Sequence, residues 1–156
     1  SPPLLDRIIH ETLRFKPVGP ISLREAVRDD AQFPGLPSIL PAGTAILIHL
    51  AAMNLRPDLW SDPHTFQPQR FFLASSGANK DNHKDIFFPF GEGPKGCIGM
   101  HLGKREVAAI VETVVGHSHM SLQDGMDTLA SLATHWDIAN QPDTPALICL
   151  SPIILS

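Results

Sequence analysis

The stretch Phe88-Pro89-Phe90-Gly91-Glu92-Gly93-Pro94-Lys95-Gly96-Cys97-Ile98-Gly99 sets four glycines and two prolines around one cysteine, just ahead of an apolar segment that begins at Met100. Glycine reaches positive φ and lets backbone approach a ligand closely. Successive N–H groups in such a loop, with the positive end of a following helix, stabilise an anion. A thiol held there is driven towards the thiolate, which can be a nucleophile, a redox group or a metal ligand. A nucleophile needs a positioned base, and the nearest histidine, His101, would point onward along a helix rather than back at Cys97. A redox pair needs a second thiol, and Cys149 is the sole candidate. Zinc needs three or four ligands, and neither a suitably spaced Cys/His set nor a His-Glu-x-x-His motif occurs. A single thiolate suits a cofactor that brings its remaining donor atoms with it, as a haem does. The plainer alternative is a glycine-rich loop around a buried free cysteine.

The rest of the 156 residues narrows the class. With 43% hydrophobic and 18% charged residues the chain can build a core and is not disordered. A net charge of −4 argues against nucleic acid as a partner. Two cysteines exclude a disulfide framework. No run approaches the roughly 20 apolar residues of a membrane-spanning helix, and no signal peptide opens the chain. Ser1-Pro2-Pro3 leads straight into a helical pattern, so an amino-terminal portion carrying any anchor is expected ahead of it.

Leu4, Leu5, Ile8, Ile9 and Leu13 recur at helical spacing and predict an amphipathic helix ended by Pro17 and Gly19. Ile21 to Val27 and Thr44 to Leu50 read as strands, with a turn at Pro41-Ala42-Gly43. Residues 56–72 read as an irregular meander holding one short helical turn, and 75–84 as a polar loop. Met100 to Val115 predicts a helix stopped by Gly116, apolar around most of its circumference and therefore buried. Strands are expected between Ala146 and Leu155, around Pro152. Cys149 reads as a small buried hydrophobe, Trp60 and Trp136 as packing residues, and His117-x-His119 as a solvated helix end. The sum is a mainly α chain with several small β-sheets, wanting more partner surface than these residues provide.

The pattern Phe90-Gly91-x-Gly93-x-Lys95-x-Cys97-x-Gly99 closely resembles the haem-binding loop of the cytochrome P-450 family. With Gly at roughly 7% of residues, five such identities arise by chance on the order of 10⁻⁷ per starting position. Lys95 stands where the family usually carries arginine or histidine, keeping the charge but losing the planar two-pronged donor. Gly103 replaces the usual alanine of the following helix. Glu11 and Arg14 alone would make a surface ion pair of under about 1 kcal/mol. In context they resemble the family's Glu-x-x-Arg helix, and Asp62-Pro63-x-x-Phe66-x-Pro68-x-Arg70-Phe71 resembles its meander, where Gln69 replaces a frequent glutamate. The resemblance implies that Glu11, Arg14 and Arg70 form a buried triad, and that Arg24 reaches a haem propionate. It implies a substrate-contacting turn at Val18 to Ser22.

So identified, residues 1–156 resemble the carboxyl-terminal, haem-binding part of a single cytochrome P-450 domain. The resemblance implies haem b (iron protoporphyrin IX) as cofactor, Cys97 as its axial ligand, and Phe90, Gly91, Gly93, Lys95, Gly99 and Arg24 around it. It implies a haem-thiolate monooxygenase that reductively activates O2 and inserts one oxygen atom into a small lipophilic substrate. Electrons would come from a flavoprotein reductase or ferredoxin. The long oxygen-side helix with its acid/threonine pair would precede Ser1, so the isolated fragment is expected to be inactive. The meander and loop spacing resembles membrane-associated eukaryotic members, which implies the endoplasmic reticulum. A haem-thiolate isomerase, dehydratase or peroxygenase, a non-catalytic haem-binding fragment, and a haem-free cysteine hydrolase remain open alternatives.

Overall fold

A computed structural model describes residues 3–33, 35–36, 38–73, 85–122, 134–136, 140–142 and 148–153. The polar loop expected at 75–84 lies outside the described residues, as does the side chain of Trp136. Helix α1 (Pro3–Phe15) forms where the apolar spacing predicts it, with Asp6 in its first turn and Arg14 in its last, both favourable to the helix dipole. Its last backbone bond runs from Lys16 N to Thr12 O (2.8 Å), and Pro17, which has no N–H, follows at once. Leu5 and Ile9 of α1 are buried against Ala108, with Leu13 and Val111 packed at the margin.

Strands β1 (Ser22–Glu25) and β2 (Ala45–Ile48) pair antiparallel, Ser22 opposite Ile48 and Arg24 opposite Ile46. Gly43, at φ 81°, makes the turn into β2, and its N–H donates to Ala26 O (2.8 Å). The strand expected to run to Leu50 ends at Ile48 instead. The reason is His49, whose Nδ1 accepts from Ala52 N (3.0 Å) and caps a short helix, α2 (Leu50–Asn54). Helix α3 (Arg70–Leu73) is the single helical turn of the meander.

Helix α4 (Met100–His117) runs through Gly116 rather than stopping there. Its end is set by pairing: β3 (Ser118–Leu122) begins immediately and lies antiparallel to β6 (Ile148–Pro152), with Ile153 N donating to His117 O (3.0 Å). His117 Nδ1 also donates to Thr113 O (2.8 Å), which satisfies a carbonyl of the last turn. The burial expected of α4 is not found. Only Ala108 is buried, while Leu102, Val107, Ile110 and Val115 are exposed, because among the described residues α1 and β3 are its main neighbours. Cys149 is likewise exposed on β6 rather than buried, since β6 pairs with β3 and nothing described covers that side. A third two-stranded sheet joins β4 (Thr134–Trp136) and β5 (Asn140–Pro142).

Candidate cofactor site

Glu11 and Arg14 lie three apart on α1 and are both fully buried, with Arg70 nearly so. Arg14 grips the carboxylate side-on, Nε to Oε2 at 2.8 Å and Nη2 to Oε1 at 2.9 Å. Arg70 reaches Oε1 from the meander at 3.1 Å, and the backbone N–H of Gln67 donates to the same oxygen at 2.8 Å. The outer edges of both guanidiniums face backbone carbonyls. Arg14 Nη1 donates to Asn54 O (2.7 Å) and Pro63 O (2.9 Å), and Arg70 donates to Ser61 O (2.8 Å), Asp62 O (3.3 Å) and Thr65 O (3.1 Å). Asp62 takes a left-handed backbone conformation (φ 46°) within the turn whose carbonyls face the guanidiniums. Two charges of one sign and one of the other thereby each have several hydrogen-bond partners, the condition under which buried ions are tolerated.

Trp60, 1% exposed, sits beside this network, its ring 5.4 Å from the Arg14 guanidinium carbon. Phe71 and Phe87 pack on it and on each other, with ring centroids 5.1 Å apart, and His10 lies tilted against Phe71 and edge-on to Phe87. His10 Nδ1 donates to Asp6 O (2.7 Å), which leaves Nε2 to accept from Lys104 Nζ at 3.1 Å. Burial pushes the His10 pKa down, and the Lys104 ammonium pushes it the same way against a weaker opposing pull from Asp6. Lys104 also lies 5.5 Å from the Phe90 ring centroid. Phe87, just before the glycine loop, and Lys104, just after it on α4, are thus both tied to His10.

The loop folds on itself through Gly91 N to Phe88 O (2.9 Å), Gly96 N to Gly93 O (2.9 Å) and Cys97 N to Phe90 O (2.8 Å). Gly91 and Gly93 stand at φ 71° and 70°, where a side chain is strained. Lys95 closes a 3-10 turn over Gly93–Lys95, and Gly99 is the N-cap of α4. Gly96 is crowded in space rather than set by φ, since a Cβ there would meet Gly93 O at 3.2 Å and push on that carbonyl. Cys97 is exposed.

Cys97 lines a cavity of about 460 Å³ with Leu13, Val18, Ile21, Leu50 and Phe90, and with Arg24 and Lys95. The donor set tests a haem on chemistry: one accessible sulfur for iron, apolar walls for a macrocycle, and two cations for its two carboxylates. The residues fit. Arg24 has no carboxylate partner among the described residues. The structure therefore brings Phe90, Gly91, Lys95, Cys97 and Arg24 to one cavity, and holds Glu11, Arg14 and Arg70 apart from it behind the loop. Gly93 and Gly99 shape the loop without lining that cavity. Sequence reasoning missed the Gln67 N–H and the Asn54 and Pro63 carbonyls, which carry no residue-type signal because any residue supplies them. It also missed the His10–Lys104 pair, for which a helical histidine facing an apolar-helix lysine is no usable signal.

A glycine-loop cysteine facing an apolar cavity, backed by an ionic helix–meander lock, is an arrangement that suits a haem-binding scaffold. The sequence profile of cytochrome P-450 matches residues 2–149, and the chain belongs to that family. Piperic acid synthase CYP719A37 of Piper nigrum is 32% identical over 112 residues, 69% of this chain and 22% of the relative. Cytochrome P-450 3A31 of Mesocricetus auratus is 28% identical over 148 residues, 95% of this chain and 28% of the relative. A retinoic acid-bound cyanobacterial CYP120A1 structure superposes at a TM-score of 0.81 with 25% identity, covering 97% of this chain and 33% of that one. A zebra fish cytochrome P-450 structure with abiraterone gives 0.78 and 27%, covering 97% and 34%. The chain thus spans between 22% and 34% of the length of these relatives. Among the described residues no helix is long and apolar enough to cross a membrane.

Proposed function

We propose that these residues are the carboxyl-terminal, haem-binding portion of a cytochrome P-450 monooxygenase. The observation that carries this is exposed Cys97 in an apolar cavity flanked by two cations, Arg24 and Lys95, that have no carboxylate partner among the described residues. Haem b, when bound, supplies the chemistry of reductive O2 activation and transfer of one oxygen atom to an organic substrate. The chain's own residues do the rest. Cys97 would hold the iron through its sulfur, and the Cys97 N–H to Phe90 O bond fixes the backbone that carries it. Arg24 and Lys95 hold the propionates, while Leu13, Val18, Ile21 and Leu50 keep water from that face. The Glu11, Arg14 and Arg70 lock fixes the meander that packs behind the loop.

The exposed apolar residues of α4 and the fraction of each relative spanned support the reading that the rest of the fold is supplied by further sequence. Residues 1–156 alone would then lack turnover. A small lipophilic substrate, a flavoprotein or ferredoxin electron donor, and endoplasmic-reticulum attachment through sequence outside these residues complete the proposal. The test is the absorption spectrum of the reduced, carbon monoxide-bound natural protein. Thiolate ligation red-shifts the main band relative to histidine ligation, and Cys97→Ala should abolish the shift. A Cys97→Ala variant that keeps the shifted band removes Cys97 as the ligand.

A further inference from the structure

We propose that Ser22 is a positioning residue for Arg24, and that this hydroxyl sets the strength with which the site holds an anionic carboxylate group of its cofactor. The inference rests on the haem reading above and deepens it. Ser22 and Arg24 are two apart on β1 and share its half-buried face, while Leu23 and Glu25 point to solvent. Arg24 Nη1 donates to Ser22 Oγ at 2.8 Å and to Leu23 O at 2.8 Å, which uses both of its hydrogens. The other arm is thereby turned away from the strand. Nη2 lies over the glycine loop, 3.9 Å from where a Cβ on Gly91 would stand. Ser22, Arg24, Gly91, Lys95 and Cys97 all line the same cavity.

Both acceptors of Nη1 are neutral, and the described residues offer Arg24 no carboxylate, so its charge is oriented but not neutralised. A free arginine side chain samples many rotamers and surrenders that freedom when it grips a ligand. Here Ser22 has already restricted it, which favours retention of an anion at Nη2. Lys95, the second cation, is an exposed side chain on a 3-10 turn with a flexible stem. The oriented guanidinium is therefore the more directional of the two.

The test is the rate of haem loss from the natural protein to excess apomyoglobin, at low and high ionic strength. Ser22→Val and Ser22→Thr are nearly isosteric and both suit a strand, but only threonine keeps the acceptor. Ser22→Val is expected to lose haem about three- to tenfold faster at low salt, with Ser22→Thr close to wild type. In an Arg24→Ala background the valine effect should fall below about twofold, and it should shrink with salt, which screens the guanidinium. A Ser22→Val rate equal to wild type overturns the role of Ser22 and leaves the haem reading standing. An undiminished effect without Arg24 also overturns it, showing that Ser22 acts through strand structure. A natural protein that takes up no haem overturns both.

Discussion

Arg70→Ala separates a buried ionic lock from a surface ion pair. Arg70 donates to Glu11 Oε1, Ser61 O, Asp62 O and Thr65 O, and its side chain is 7% exposed. Truncation leaves Glu11 with Arg14 and the Gln67 N–H, so that carboxylate stays paired. What is stranded is the meander, where Ser61 O and Asp62 O lose the guanidinium donor and a side-chain-sized void opens. That places the cost near the low end of the range for breaking a buried pair, about 3 kcal/mol. Glu11→Ala strands two buried guanidiniums around no anion and should cost more, about 4–5 kcal/mol. Arg70→Lys should fall between wild type and alanine, since one ammonium cannot address three carbonyls and a carboxylate at once. The assay is urea unfolding of the natural protein, followed by far-ultraviolet circular dichroism at equal cofactor occupancy. A loss below about 1 kcal/mol for Arg70→Ala, the value of an exposed pair, or Arg70→Ala costing more than Glu11→Ala, would refute the reasoning.

Gly91→Ala should destabilise the loop by about 1–2 kcal/mol because φ 71° is strained for alanine, whereas Gly19→Ala, with open space and no positive φ, should be near neutral; unfolding midpoints of the pair decide it. Gly103→Ala fills open space in the first turn of α4 and should stabilise by up to about 1 kcal/mol, so a fall in unfolding midpoint would show a contact there. His10 has its pKa lowered by burial and by Lys104, so the unfolded chain binds its proton more readily than the folded one. Stability from this group is therefore full above the ordinary value of 6.5 and is lost as pH falls from there through the depressed folded value. The corresponding slope of unfolding free energy against pH should flatten in His10→Phe, and an unchanged slope would assign it to other groups.

How much was legible in the sequence follows from what kind of signal each feature leaves. Helix α1 was visible because Leu5, Ile9 and Leu13 repeat at the helical period and Pro17 ends them. Gly91 and Gly93 were visible because positive φ selects a residue type. Helix α2 was not, since Leu50 continues the apolar run of β2 and the break depends on a histidine ring acting as a cap. For α4 the period correctly gave a helix, but apolar faces state only that a helix can be covered, not what covers it. Gly116, read as a stop, lies inside the helix because strand pairing rather than a left-handed turn ends it.

The same distinction explains why α1 can position a site that it barely lines. Its 13 residues divide between three partners: Leu5 and Ile9 pack on α4, Glu11 and Arg14 lock the meander, and His10 meets Phe71, Phe87 and Lys104. These partners flank the glycine loop in sequence, the meander and Phe87 before Cys97 and α4 with Lys104 after it. The loop's two ends are therefore referenced to one rigid helix, while its middle is fixed by its own three backbone bonds. The Cys97 sulfur, which we propose as the iron ligand, is positioned by that arrangement and not by packing around it, since Cys97 is exposed. The side chains of this scaffold were readable as motifs. The backbone donors and acceptors that complete it, from Gln67 N–H to the carbonyls of Asn54 and Ser61, appear only once the chain is folded.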